Sequence, residues 1–225
     1  RAGGWMGKDD QPKHRQAARE RARLDRWAAS RAGLPTALIV CEGRCTEPYY
    51  LGGLLEHLGV NAANAHIQTG SYKTDALSLV RDARARFRST PEYDHVFVVL
   101  DGDQAHLDEA RREAGKGMAK AGGGRVTVEL IVTSPCFEYW LLLHFEYTTR
   151  GLRSVEAVRA LEAHLTDYEK GDREIFAKVS GGLAMAEANA AKGIRDIAAT
   201  GAVSPRTDMP LLVAVLRTMS RRNPN

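Results

Sequence analysis

The chain has 225 residues, 44% of them apolar, and a formal net charge of +4, which suits one packed domain with appendages. No apolar run approaches the ~20 residues that span a bilayer, and the charged, polar start contains no apolar h-region, so nothing reads as a secretory signal or a membrane anchor. The three cysteines, Cys41, Cys45 and Cys136, are odd in number and lack the spacings of a structural zinc site. A reduced, cytoplasmic protein is expected, with Cys41 and Cys136 as packing residues in apolar surroundings.

Nine Lys or Arg residues and four acids fall between Arg1 and Arg31, so residues 1–33 form a basic arm that carries the whole positive excess. Its segment "KHRQAARERARLDRW" is rich in helix formers. Arg15, Arg19 and Arg23 are candidate contacts to a phosphate backbone, and a solvated leader is the equal alternative.

From Leu34 the pattern alternates between short apolar runs and longer amphipathic ones. "ALIVC" (Ala37 to Cys41) predicts a buried strand, and "TEPYYLGGLLEHLG" predicts a helix with Thr46 as cap and Pro48 in its first turn. A strand from Ala65 to Gln68 and a helix from about Thr74 to Arg88 follow. "HVFVVL" (His95 to Leu100) has the composition of a central strand covered on both faces. Gln104 to Lys120 is expected to be helical, and Gly122 to Gly124 to turn. Val126 to Val132 predicts a further strand, leading into "TSPCFEYWLLLHF" with Ser134 as cap and Pro135 at the first helical position. Beyond Gly151 only helices are expected: Arg153 to Leu165, about Asp172 to Thr200, and Met209 to Ser220.

This alternation predicts an α/β fold, a mostly parallel sheet flanked by helices. Residues 34–150 would form the sheet domain and residues 151–225 a helical C-terminal portion. In such sheets sites form at the carboxyl ends of the strands. Glu42 follows the first strand, and Asp101 and Asp103 follow the third, in "DGD". Two carboxylates one residue apart, with Gly102 allowing a sharp turn, can converge on a hard cation such as Mg²⁺. That chemistry suits phosphoryl transfer or phosphodiester cleavage.

"LIVCEGRCTEPYYLGGL", "VFVVLDGDQ" and "SPCFEYWLLLHF" resemble the three main blocks of the RloB-like family, whose core is a Toprim domain; "TDMPLLVAVL" is a weaker echo. The resemblance implies that Glu42 acts as general acid or base and helps position metal, and that Asp101 and Asp103 bind Mg²⁺, with Mn²⁺ as a substitute. It further implies a nuclease of bacterial antiviral defence, acting on RNA and in particular tRNA, with an ABC-type ATPase as partner; a homodimer is a second partnership to consider.

Glu138, on the same rim, matches a metal-site glutamate of OLD-type nucleases or is an acid near a helix start. Lys170, in "DYEKGD", matches a lysine that would neutralise the scissile phosphate or is a surface lysine. Glu47 and Tyr49 lie in the first-block loop, within reach of substrate. Ser71, Tyr72 and Lys73 offer a hydroxyl, an aromatic ring and a cation to single-stranded RNA, or a cap and a packed tyrosine. His144 reads as a core histidine. The competing functions are a haloacid-dehalogenase-type phosphohydrolase, since an apolar strand leading to DxD is also its pattern, and a non-catalytic nucleic-acid-binding adaptor.

Overall fold

The first strand, β1 (Ala37–Cys41), is entirely buried because its alternate side chains enter two different cores. Ala37, Ile39 and Cys41 face one layer of helices, and Leu38 and Val40 face the other. Strand β3 (His95–Asp101) divides in the same way, Phe97 and Val99 to the first layer and Val96, Val98 and Leu100 to the second. This is the period-2 geometry of a strand with both faces covered, and it accounts for the unbroken apolar runs.

The computed structural model describes residues 33–70 and 75–220. Arg15, Arg19, Arg23, Ser71, Tyr72 and Lys73 lie outside the described residues. Helix α1 (Thr46–Leu58) follows β1, then come β2 (Ala65–Thr69), α2 (Ala76–Ser89), β3 and α3 (Leu107–Ala114). The two-residue strands β4 (Met118–Ala119) and β5 (Arg125–Val126) make a small antiparallel hairpin closed by the glycine triplet. Strand β6 (Val128–Ser134) leads to α4 (Phe137–Leu142), α5 (Ser154–Glu162), α6 (Ile175–Val179), α7 (Leu183–Thr200), β7 (Arg206–Thr207) and α8 (Met209–Thr218).

The main sheet has the order β2-β1-β3-β6-β7, parallel except for β7, which pairs antiparallel with β6. The chain moves outward from β1 to β2 and then returns to the other side of β1 for β3, so β1 and β3 flank a topological switch point. Crevices at the carboxyl ends of strands open at such points.

Four expectations are corrected. The helix expected across Gln104 to Lys120 covers only Leu107–Ala114, because the chain after it enters the hairpin. Strands do not end at Gly151: Arg206 and Thr207 add an edge, held also by the Thr133 and Thr207 hydroxyls at 2.7 Å. Helix α4 starts at Phe137 with Cys136 at the cap position, so Ser134 and Pro135 sit outside it; the Ser134 hydroxyl bonds instead to that of Ser204 at 2.9 Å. Thr46 does not cap α1, since Cys45 holds that position; its Oγ1 accepts the Gly171 N–H at 3.2 Å.

From Pro35 onward the chain is one compact unit. Ile175, Leu183 and Leu212 share a core cluster with Tyr50, Trp140 and Ile39, so the helices after Gly151 complete the layer over one sheet face. No helix among the described residues is long and apolar enough to cross a membrane.

Candidate active site

Glu42 is the first residue beyond β1, and its N–H donates to the Val99 carbonyl at 2.9 Å, which extends the β1 to β3 ladder by one step. Its side chain leans across the switch point to the end of β3. There Oε2 accepts the backbone N–H of Asp101 at 3.0 Å, and Oε1 accepts the Gln104 side-chain amide at 2.6 Å. The two strand ends that sequence spacing singled out are therefore joined by a carboxylate.

Asp101 is the last residue of β3, and its Oδ1 accepts the Phe137 N–H at 2.8 Å. The side chain thus faces the start of α4, beside the buried Glu138, which is 2% exposed. Glu138 Oε1 accepts the Tyr168 hydroxyl at 3.0 Å and lies 3.6 Å from Lys170 Nζ. Glu47, also buried, accepts the Gly43 N–H at 3.2 Å. A methyl group on Gly43 would fall 1.9 Å from the Glu47 carboxylate and would displace it from this position.

Gly102 does a different job from the one expected. It has no positive φ; its N–H donates to the Thr133 carbonyl at 2.8 Å, and an added Cβ would stand 2.4 Å from Ser134 Cβ. Close approach to β6, rather than backbone freedom, is what requires glycine between the two aspartates. Asp103 then emerges exposed, its Oδ2 accepting the Ser154 hydroxyl at 3.3 Å.

The acids crowd one another. Burial, then the charges of Glu42, Glu47 and Glu138, push the Asp101 carboxyl up to about 8 against the opposing pull of the Phe137 N–H. Burial also raises Glu42, with Glu47 and Asp103 adding to it and the Asp101 N–H and Gln104 amide working against it. Glu47 is raised by burial and by Glu138, with Lys170 opposing. Lys170 is held above the ordinary lysine range, first by Glu138 and then by Asp101.

These groups border an open cleft of about 390 Å³ lined by Glu42, Arg44, Cys45, Glu47, Asp101 and Lys170, with Gly43 and Thr46 between them. Of the residues singled out from sequence, Glu42, Asp101, Glu47 and Lys170 line it, and Glu138 stands behind Lys170. Asp103 and Tyr49 do not line it; the Tyr49 ring lies under the Arg173 guanidinium, 5.6 Å from its centroid. His144 is a core residue: Nδ1–H donates to the Trp140 carbonyl at 3.0 Å, and Nε2 accepts the Tyr50 hydroxyl at 3.1 Å. Sequence reasoning missed Gln104, whose signal was its place directly after "DGD", and Tyr168, two positions before Lys170.

The donor set suits a hard divalent cation in one respect and limits it in another. All donors are carboxylate oxygens, and they are crowded enough that a cation would relieve their repulsion. Among the described residues, however, no three His, Cys, Asp or Glu side chains are grouped so as to hold a metal ion. Mg²⁺ takes one or two carboxylates plus waters and phosphate oxygens. Glu42 and Asp101 fit that requirement; a site needing three protein ligands is not assembled.

An α/β sheet with carboxylates from two neighbouring strand ends facing an open cleft has its candidate site where ligands bind in open α/β sheets, outside the carboxyl ends of the strands. A family profile described as RloB-like protein matches residues 37–216, and the chain belongs to that family. No curated protein and no solved structure matches it.

Proposed function

We propose that this protein is a Mg²⁺-dependent endonuclease of the Toprim type that cuts RNA, with tRNA as its substrate, and acts in the bacterial cytoplasm as the effector of an antiviral defence system alongside an ATPase partner. The observation that carries the reading is the Glu42 to Asp101 link at the switch point, with both acids facing a cleft that Lys170 borders from another loop. Each half has a chemical use.

Glu42, held at both oxygens, presents its remaining lone pairs in a fixed direction, the property required of a base or a ligand. Lys170, 78% exposed, can meet a phosphate while Glu138 steadies its ammonium from behind. Asp103 borders solvent next to the rim and can turn toward it by giving up one exposed hydrogen bond. A Mg²⁺ ion bound by Glu42 and Asp101, or Mn²⁺ in its place, would supply charge to the phosphate and lower the pKa of a bound water.

The test is cleavage of total bacterial RNA and of plasmid DNA with Mg²⁺, Mn²⁺ or EDTA. Discrete tRNA fragments that vanish with EDTA, with Glu42→Gln and with Asp101→Asn are the expected result. A second reading, a non-catalytic nucleic-acid-binding adaptor, draws on one observation, that three metal-binding side chains are not brought together. Defence in cells that survives Glu42→Gln would favour it.

A further inference from the structure

We infer that Gln104 is a positioning residue for Glu42, setting the direction in which that carboxylate meets a divalent cation. This role rests on the metal-dependent reading above. The two donors on Glu42 come from one short turn: the Asp101 N–H reaches Oε2 at 3.0 Å and the Gln104 amide reaches Oε1 at 2.6 Å. A carboxylate gripped at one oxygen can still pivot about that bond, whereas one gripped at both cannot.

The chemistry fixes the direction of the second bond. An ionised carboxylate only accepts, so the Gln104 nitrogen, and not its oxygen, faces Glu42. The geometry also separates Gln104 from the other rim contacts. Asp101 is oriented by the Phe137 N–H and Glu47 by the Gly43 N–H, both backbone groups that no side-chain change removes. Among the described contacts of these three acids, Glu42 alone depends on a side chain for part of its orientation. Hydrogen-bond partners of this kind commonly change metal affinity by about 10 to 100-fold when removed.

The experiment measures the Mn²⁺ dissociation constant of the full chain by electron paramagnetic resonance, for wild type, Gln104→Met, Gln104→Ala, Glu42→Ala and the Glu42→Ala/Gln104→Met pair. Methionine keeps the length and volume of the side chain and lacks the donor. The expected result is that Met and Ala weaken binding alike, by about tenfold or more, and that Met has no further effect once Glu42 is changed. Melting temperature in EDTA is read alongside, and Gln104→Met should hold it near wild type.

If Met binds as wild type and only Ala is weaker, the residue merely fills space and the inference is overturned. Wild-type binding with both variants unchanged overturns it too, and leaves the nuclease reading standing. If the wild type takes up no Mn²⁺, the metal-dependent reading and this role fail together.

Discussion

The backbone N–H of Asp101 donates to the carboxylate of Glu42 across the gap between two parallel strands, at 3.0 Å. Whatever moves the end of β3 therefore moves Glu42. The consequence for mutagenesis is that Glu42→Gln should be nearly silent in stability. The Gln104 amide can rotate and offer its oxygen to the new NH₂ group, so both bonds survive and the cost is about 1 kcal/mol or less. Cleavage should fall by about 100-fold or more, the usual effect of losing an acid-base group. Denaturant unfolding beside single-turnover cleavage checks both halves; a large loss of stability would mean that Glu42 serves mainly as a structural tie.

Asp101 should stabilise the protein when it is replaced. Its folded pKa of about 8 lies far above the ordinary value of 3.8. Between those values the folded state binds more protons than the unfolded one, so this carboxyl lowers stability progressively as pH rises from about 4 to about 8. Asp101→Asn removes the charge and keeps an oxygen for the Phe137 N–H. In EDTA at pH 8 it should be more stable than wild type by roughly 2 to 4 kcal/mol, discounted for the partial exposure of the group, with the gain fading toward pH 4. Thermal melts across that range provide the check, and a gain independent of pH would point to a cause other than the carboxyl charge.

Both predictions use residues that stood out in the sequence, and the reason is physical. A strand covered on both faces has to be apolar throughout, so β1 and β3 advertise themselves and their last residues can be located to within a position. The polar stretch after Asp103 carries no such constraint. Composition there favoured a helix, yet Met118 and Val126 pair across a hairpin because their burial under α2 and α3, not local propensity, decides the matter. β7 was illegible for a related reason: two residues, Arg206 and Thr207, have no period to read, and their pairing depends on Thr133, 74 positions away. At the site, which acids share a rim was legible. Which side chains grip them was not, since Gln104 and Tyr168 act through distances that only the folded chain sets.

Gly102 separates space from backbone freedom. Because a methyl group there would meet Ser134 at 2.4 Å, Gly102→Ala must push the turn away from β6 and carry Asp101 and Asp103 with it. A cost of about 1 to 3 kcal/mol is expected from such overpacking, together with weaker Mn²⁺ binding. Gly52→Ala provides the contrast. It lies inside α1, where an added Cβ meets nothing within 4 Å, and it should stabilise by roughly 0.5 to 1 kcal/mol. Urea midpoints measured for the two variants should move in opposite directions; equal shifts would remove the close-approach explanation of Gly102.

His144 should make the core sensitive to acid. Burial pushes its pKa down from 6.5 to about 4, with the Trp140 carbonyl pulling weakly the other way. Below pH 6.5 the unfolded chain takes up a proton that the folded chain refuses, so stability present at neutral pH is lost as pH falls toward 4, by about 3 kcal/mol if the whole shift is expressed. Asp101 titrates with the opposite sign over part of this range, so the wild-type curve alone mixes the two. The difference between wild type and His144→Gln isolates the histidine: the variant should be clearly less stable at pH 7, having lost the paired contacts to Tyr50 and Trp140, and the gap should narrow between pH 6.5 and 4. A gap that stays constant across those pH values would show that His144 is protonated as readily inside the fold as outside it.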